Sequence, residues 1–180
     1  MNFKNFNSKN DKEIEQMIRV NQAGEFGAKR IYDGQLAVLK NNKKYRIIKK
    51  MADQEEQHLK TFNKIMIEKG IRPTVLSPLW DIGGFVLGAT TASISTEAAM
   101  ACTVAVEEVI DKHYEDQKTL LHKSRKDKKL LKTIEKFRLE ELEHRDIALK
   151  NNAEQTRNYK TLTKAIKTIT SIAIFLSKKI

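Results

Sequence analysis

Two copies of the pattern Glu-x-x-His, Glu55–His58 and Glu141–His144, stand where a helical protein ordinarily carries apolar side chains. Around the first copy, Met51, Glu55, His58, Phe62 and Ile65 recur at steps of four and three, the spacing of a single helix face. Around the second, Ile134, Phe137, Glu141, His144 and Ala148 do the same. Two more acids fall inside apolar stripes: Glu25 among Ile18, Ala28, Tyr32 and Leu39, and Glu107 among Met100, Val104, Ile110 and Tyr114. A carboxylate turned into a core without compensation is strongly destabilising, and four together would also repel one another. No Lys or Arg occupies the central stripe positions, so the compensating charge must come from outside the chain. Two divalent cations neutralise four carboxylates, and two neutral imidazoles complete the donor set. Oxygen and imidazole donors without thiolate suit iron or manganese better than a structural zinc. One Glu from each of two helices plus Glu-x-x-His from each of two others is the donor pattern of di-iron and di-manganese carboxylate bundles. The neighbouring acids Glu56, Glu108, Glu140 and Glu143 lie off these stripes and are expected to be solvated or to support the ligands.

Such a site needs four helices to deliver it. Apolar periodicity predicts helices over about 12–39, 44–69, 85–121, 129–151 and 157–178. Asn41-Asn42 punctuates the first pair, and Gly70 followed by Pro73 ends the second helix. A connection over 71–84 holds both prolines and the only tryptophan, Trp80. A polar turn over 123–128 precedes the fourth helix, and residues 1–11 read as a polar tail. Helix pair, long crossover, helix pair and extra helix is ferritin-like connectivity. The expected fold class is therefore all-α: a ferritin-like four-helix bundle with one long crossover and an additional C-terminal helix, forming one domain over 1–180.

Composition agrees. With 180 residues, two prolines and seven glycines, the chain has length for one sizeable core and little to interrupt helices. The single cysteine, Cys102, cannot form an internal disulfide, which points to a reducing compartment; among Ala101, Val104 and Ala105 it reads as a small buried residue. The formal charge of +11 is concentrated in lysine runs over 40–50 and 123–132. These runs read as solvated surface that also suits an anionic membrane leaflet. No aromatic or glycine pattern of an RNA-binding module accompanies them, so no nucleic-acid partner is expected. Met1–Asn10 lacks the apolar core of a signal peptide. The uncharged stretch Ile82–Thr96 is 15 residues with three glycines, short of the ~20 a spanning helix needs. It is expected to be buried or to lie on a membrane surface.

The strings around these positions resemble a known family. They are Ile-Arg-Val-Asn-Gln-Ala-Gly-Glu-Phe-Gly-Ala-Lys-Arg-Ile-Tyr from Ile18, Asp-Gln-Glu-Glu-Gln-His-Leu from Asp53, Ala-Cys-Thr-Val-Ala-Val-Glu-Glu from Ala101, and Glu-Glu-Leu-Glu-His-Arg-Asp from Glu140. Together, from about Ile14 to the C-terminus, they are similar to the demethoxyubiquinone hydroxylases of ubiquinone biosynthesis. The resemblance implies that Glu25, Glu55, His58, Glu107, Glu141 and His144 bind two Fe ions, with Glu55 and Glu141 bridging. It implies that His113 and Tyr114 lie near the substrate. Gln22 departs from the His that many relatives carry, at a position that is not a ligand. The implied reaction is O2-dependent hydroxylation of the ring of a prenylated quinone precursor. Electrons would come from NADH, relayed by the quinone itself; no Gly-x-Gly-x-x-Gly fingerprint is present to bind a nucleotide in a Rossmann site. The implied setting is peripheral, on the cytoplasmic face of a bacterial inner membrane, in the company of other ubiquinone-biosynthesis proteins. The apolar stretch from Leu76 to Ala99, with Trp80 and Phe85, would supply the membrane or prenyl-tail contact. Two other functions are compatible with parts of the pattern. An iron-handling or peroxide-scavenging ferritin- or rubrerythrin-like protein would use the same six ligands without a lipid pocket. A structural basic bundle would leave the inward acids unexplained.

Overall fold

The structure, a computed structural model, describes residues 9–124 and 127–179. Among them are six α-helices, one short 3-10 turn at Ala153–Gln155, and no strand. The helices are α1 Lys9–Val38, α2 Tyr45–Lys69, α3 Ser77–Ile94, α4 Thr96–Ser124, α5 Lys128–Lys150 and α6 Tyr159–Lys179. The chain is all-α, of the ferritin-like helical class. α1 begins inside the stretch expected to be a polar tail, residues 1–8 of which lie outside the described residues, as do residues 125 and 126 of the expected 123–128 turn.

The sequence expectation differs most in the middle of the chain. The connection is only six residues long, 71–76, and the third predicted helix is two helices, α3 and α4, that meet at Ser95. Pro78 falls in the first turn of α3, where its missing N–H is not needed. Ser95 divides the two helices because its hydroxyl accepts the Ala98 N–H at 3.0 Å, an N-cap for α4. Elsewhere the stops are local and legible. Gly70, at φ 67°, closes α2 in a Schellman motif, with Ile71 N–H donating to Met66 O at 2.9 Å and Gly70 N–H to Ile67 O at 3.3 Å. Asp127 caps α5 by accepting the Leu130 N–H at 2.9 Å.

The chain divides into two units, one reaching to Thr90 together with the segment from Ile172, the other Thr91–Ser171. In the first, α1 and α2 pair antiparallel, as the pairings Gln22–Asn63, Lys29–Glu56 and Tyr32–Met51 require: residue numbers rise on one helix as they fall on the other. Ile18, Tyr32, Ile48, Met51 and Phe62 are fully buried between them. α3 lies directly on α1. A Cβ built on Gly88 would stand 1.9 Å from Ile31 O, and one on Gly34 would stand 2.1 Å from Phe85 O, so only glycine permits this backbone approach. Arg30 fastens the same crossing, with ion pairs to Asp81 at 2.5 Å and Asp33 at 2.8 Å, and its guanidinium 5.1 Å from the Phe85 ring centre. In the second unit, α4 and α5 pair antiparallel through Asp111–Arg138 and His122–Glu135. The start of α4 is buried on every face from Ala98 to Val106, which accounts for its unbroken run of small and apolar residues.

Candidate metal centre

α2 turns Glu55 and His58 into the core of the first unit because they replace two apolar positions of its stripe, between Met51 and Phe62. α1 brings Glu25 against them. All three are at most 2% exposed. His58 Nδ1 is 3.3 Å from Glu25 Oε2 and 3.9 Å from Glu55 Oε2, and one donor atom from each residue lies within 4.8 Å of the other two. The second unit repeats this construction. α5 carries Glu141 and His144 between Phe137 and Ala148, and α4 contributes Glu107. These three are at most 1% exposed, His144 Nδ1 is 3.2 Å from Glu141 Oε2, and their donor atoms again lie within 4.8 Å of one another.

Charge decides what these triads fit. Each holds two carboxylates and one imidazole, so even a fully protonated imidazole leaves a buried net negative charge. Such a charge is expensive in a core. A divalent cation bound by neutral imidazole and two carboxylates brings each triad to neutrality with all three residues as donors. The donor chemistry therefore fits a metal, with hard oxygen and borderline nitrogen as iron and manganese prefer. The acids off the stripes are engaged elsewhere: Glu56 with Lys60 at 3.1 Å, Glu140 with Lys136 at 3.7 Å, and Glu108 with Lys167.

Three other expectations meet the structure here. Tyr114 is buried, and His113 is half-buried with its Nε2 2.6 Å from the Gln117 amide on the same helix. Among the described residues, neither belongs to a metal-ligating cluster. Cys102 is fully buried, and burial pushes its thiol pKa up to about 12, against a lowering hydrogen bond from Thr91, so it stays a neutral core residue at physiological pH. Trp80 and Phe85, expected to supply a membrane or prenyl-tail contact, are half-buried. Trp80 donates its Nε1–H to Ser177 Oγ at 3.0 Å, and Phe85 lies under Arg30. The outward apolar side chains are Leu79, Ile82 and Val86 of α3, each more than half exposed. Their i, i+3, i+7 spacing was a readable signal, hidden while 71–84 read as a connection.

An all-α, ferritin-like protein with buried carboxylate–imidazole clusters suited to metal is the class that fold and site define. Comparison with known sequences narrows it. A family model described as ubiquinone biosynthesis protein COQ7 matches residues 12–177, and the chain belongs to that family. A Dictyostelium discoideum protein named NADPH-dependent 3-demethoxyubiquinone 3-hydroxylase, mitochondrial, is 51% identical over 168 residues, covering 93% of this chain and 77% of that protein. The human protein of the same name is 50% identical over 169 residues, covering 93% and 78%. A Rhodospirillum rubrum protein named 3-demethoxyubiquinol 3-hydroxylase is 48% identical over 168 residues, covering 93% and 78%. The first two names specify NADPH, where the sequence resemblance led to an expectation of NADH.

Proposed function

We propose that this protein is a di-iron monooxygenase that hydroxylates the ring of demethoxyubiquinol, the prenylated precursor one ring oxygen short of the next intermediate in ubiquinone biosynthesis. The observation that carries this reading is near-50% identity, along nearly the whole chain, to relatives named for that reaction. Two buried Glu/Glu/His triads supply its chemistry. Glu25, Glu55 and His58 would hold iron from one helix pair and Glu107, Glu141 and His144 from the other. Iron bound there supplies O2 activation. The balance is one ring C–H, O2, two electrons and two protons giving one ring C–OH and water. A reduced nicotinamide nucleotide is the electron source. The chain's own contribution is a dry site: the six candidate ligands are held at near-zero exposure, so water would be largely excluded around a bound metal. Tyr114, about two turns beyond Glu107 on α4, and His113 beside it are the candidates for contact with the substrate ring.

The test is complementation of a bacterial strain blocked at the demethoxyubiquinone step, with quinones read by mass spectrometry. Restored ubiquinone is expected. Persistent demethoxyubiquinone, with the protein present and iron-loaded, would reject the assignment.

A prenylated substrate places the enzyme at a membrane, for a bacterial cell on the cytoplasmic face of the inner membrane. The association proposed is peripheral; no helix of the described residues is long and apolar enough to cross a membrane. The exposed Leu79, Ile82 and Val86 of α3 and Ile172 and Phe175 of α6 belong to one unit. The Trp80–Ser177 hydrogen bond ties the two helices together, and Lys178 and Lys179 end the α6 face with positive charge. Apolar side chains backed by lysines suit an anionic bilayer surface. Replacing Leu79, Ile82 and Val86 together by serine is expected to lower binding to anionic vesicles at least about tenfold, given roughly 1.5–3 kcal/mol for each large apolar side chain fully buried. Metal content should not change. Equal flotation of variant and wild type would remove α3 from the contact surface.

A further inference from the structure

On α5, Arg138 stands three residues before Glu141; on α4, Asp111 stands four residues after Glu107. Arg138 Nε is 2.6 Å from Asp111 Oδ1, and Nη1 is 2.5 Å from Glu115 Oε2 one turn further along α4. One guanidinium thus grips two successive turns of the opposite helix, about one helical turn from the Glu107 and Glu141 level. Lys118 closes the far side, 2.7 Å from Glu115. Arg138 and Asp111 have side chains only 24% and 23% exposed, so water screens this pairing less than an open surface pair.

The grip lies where the helix pair is under strain of charge. Glu107 and Glu141 are buried with oxygens within 4.8 Å of each other. Before a cation arrives, their repulsion favours sliding or splaying of α4 against α5. We propose that Arg138 is a positioning residue for the α4–α5 triad: with Asp111 and Glu115 it holds the two helices in register, so that Glu107, Glu141 and His144 already converge before metal binds. This inference rests on the metal reading above. It adds that the affinity of that half of the centre depends on a bracket outside the ligand set. A rigid fork on two acids suits arginine; lysine, a single flexible point charge, can satisfy only part of it.

The test uses the full chain, stripped of metal and titrated anaerobically with Co(II), followed by calorimetry and by the visible bands of the bound ion. Wild type is expected to bind two ions. In Arg138→Gln, the affinity for one of them is expected to fall about tenfold, the range typical of groups that orient metal ligands, with the other ion unaffected and helix content unchanged. Arg138→Lys should fall between the two. The exchange Asp111→Arg with Arg138→Asp should recover part of the loss. Lys136→Gln, which removes a positive charge from the same helix without breaking the bracket, should bind as wild type does. If Arg138→Gln does not fold, Asp111→Asn carries the same test with a smaller drop. A merely structural bridge would lower the unfolding temperature and leave both affinities and the Co(II) spectrum alone, and that result overturns the inference. A wild type that binds no ions would overturn the metal reading itself, and this inference with it.

Discussion

Glu141→Gln is expected to abolish ring hydroxylation, by more than about a hundredfold, since even groups that only orient a metal ligand are worth ten- to a hundredfold. The same variant is expected to leave the metal-free protein as stable as wild type, or more stable. The two outcomes have one cause. In the absence of a cation, Glu141 is a buried carboxylate close to Glu107, and its amide isostere relieves repulsion without leaving a cavity. With a cation, the same carboxylate is a donor, and the amide is a poor substitute. Activity, bound iron per chain, and thermal unfolding of the metal-free protein measure the three quantities. An alternative role is available from the same geometry: Glu141 could serve only as partner to a protonated His144, 3.2 Å away. In that case Glu141→Gln would lower metal-free stability by about 1–3 kcal/mol, as loss of a charged hydrogen-bond partner does, and iron content would stay unchanged. The direction of the stability change therefore separates a metal ligand from an ordinary buried ion pair.

Gly88→Ala is expected to be strongly destabilising although it adds one methyl group to a helix. The new Cβ would meet Ile31 O at 1.9 Å and Ile31 C at 2.7 Å, both backbone atoms that cannot rotate away. Overpacking of this kind costs about 3 kcal/mol or more when the neighbours are rigid. For a chain of this length, that lowers the unfolding temperature by about 6–12 °C. Gly83→Ala is the control. It has nothing within 4 Å of its would-be Cβ, so alanine's higher helix propensity should raise stability by about 0.5–1 kcal/mol. Opposite signs for the same substitution five residues apart on α3 would establish the close crossing with α1. A Gly88→Ala variant that melts with wild type would show that the two backbones do not approach as described.

The six candidate ligands were legible because helix periodicity is a local property. A 3.6-residue repeat assigns each position a face before any neighbour is known, so Glu55, His58, Glu141 and His144 declared themselves by standing where Met51, Phe62, Phe137 and Ala148 set the apolar stripe. The ends of α2 were legible for the same reason, since Gly70 terminates a helix through its own backbone conformation. The third helix was not. Pro78 and three glycines over 83–88 weigh against helix by intrinsic preference, and the segment accordingly read as connection followed by one long helix. Packing against α1 reverses that preference: what glycine loses in helix propensity it recovers by letting the two backbones meet at Gly34 and Gly88. Nor could one sequence assign partners to side chains on a continuous apolar run. Ser177 and Arg30 lie against the half-buried Trp80 and Phe85, while Leu79, Ile82 and Val86 of the same helix face outward. The sequence alone determined the helical class, the inward carboxylates and imidazoles, and from their charge their fitness for a cation, because each follows from residues within a few turns of one another. The break at Ser95, the seating of α3 on α1 and the grip of Arg138 on two turns of α4 were decided only by tertiary structure, because each depends on residues tens of positions away or on a choice between nearly balanced local states.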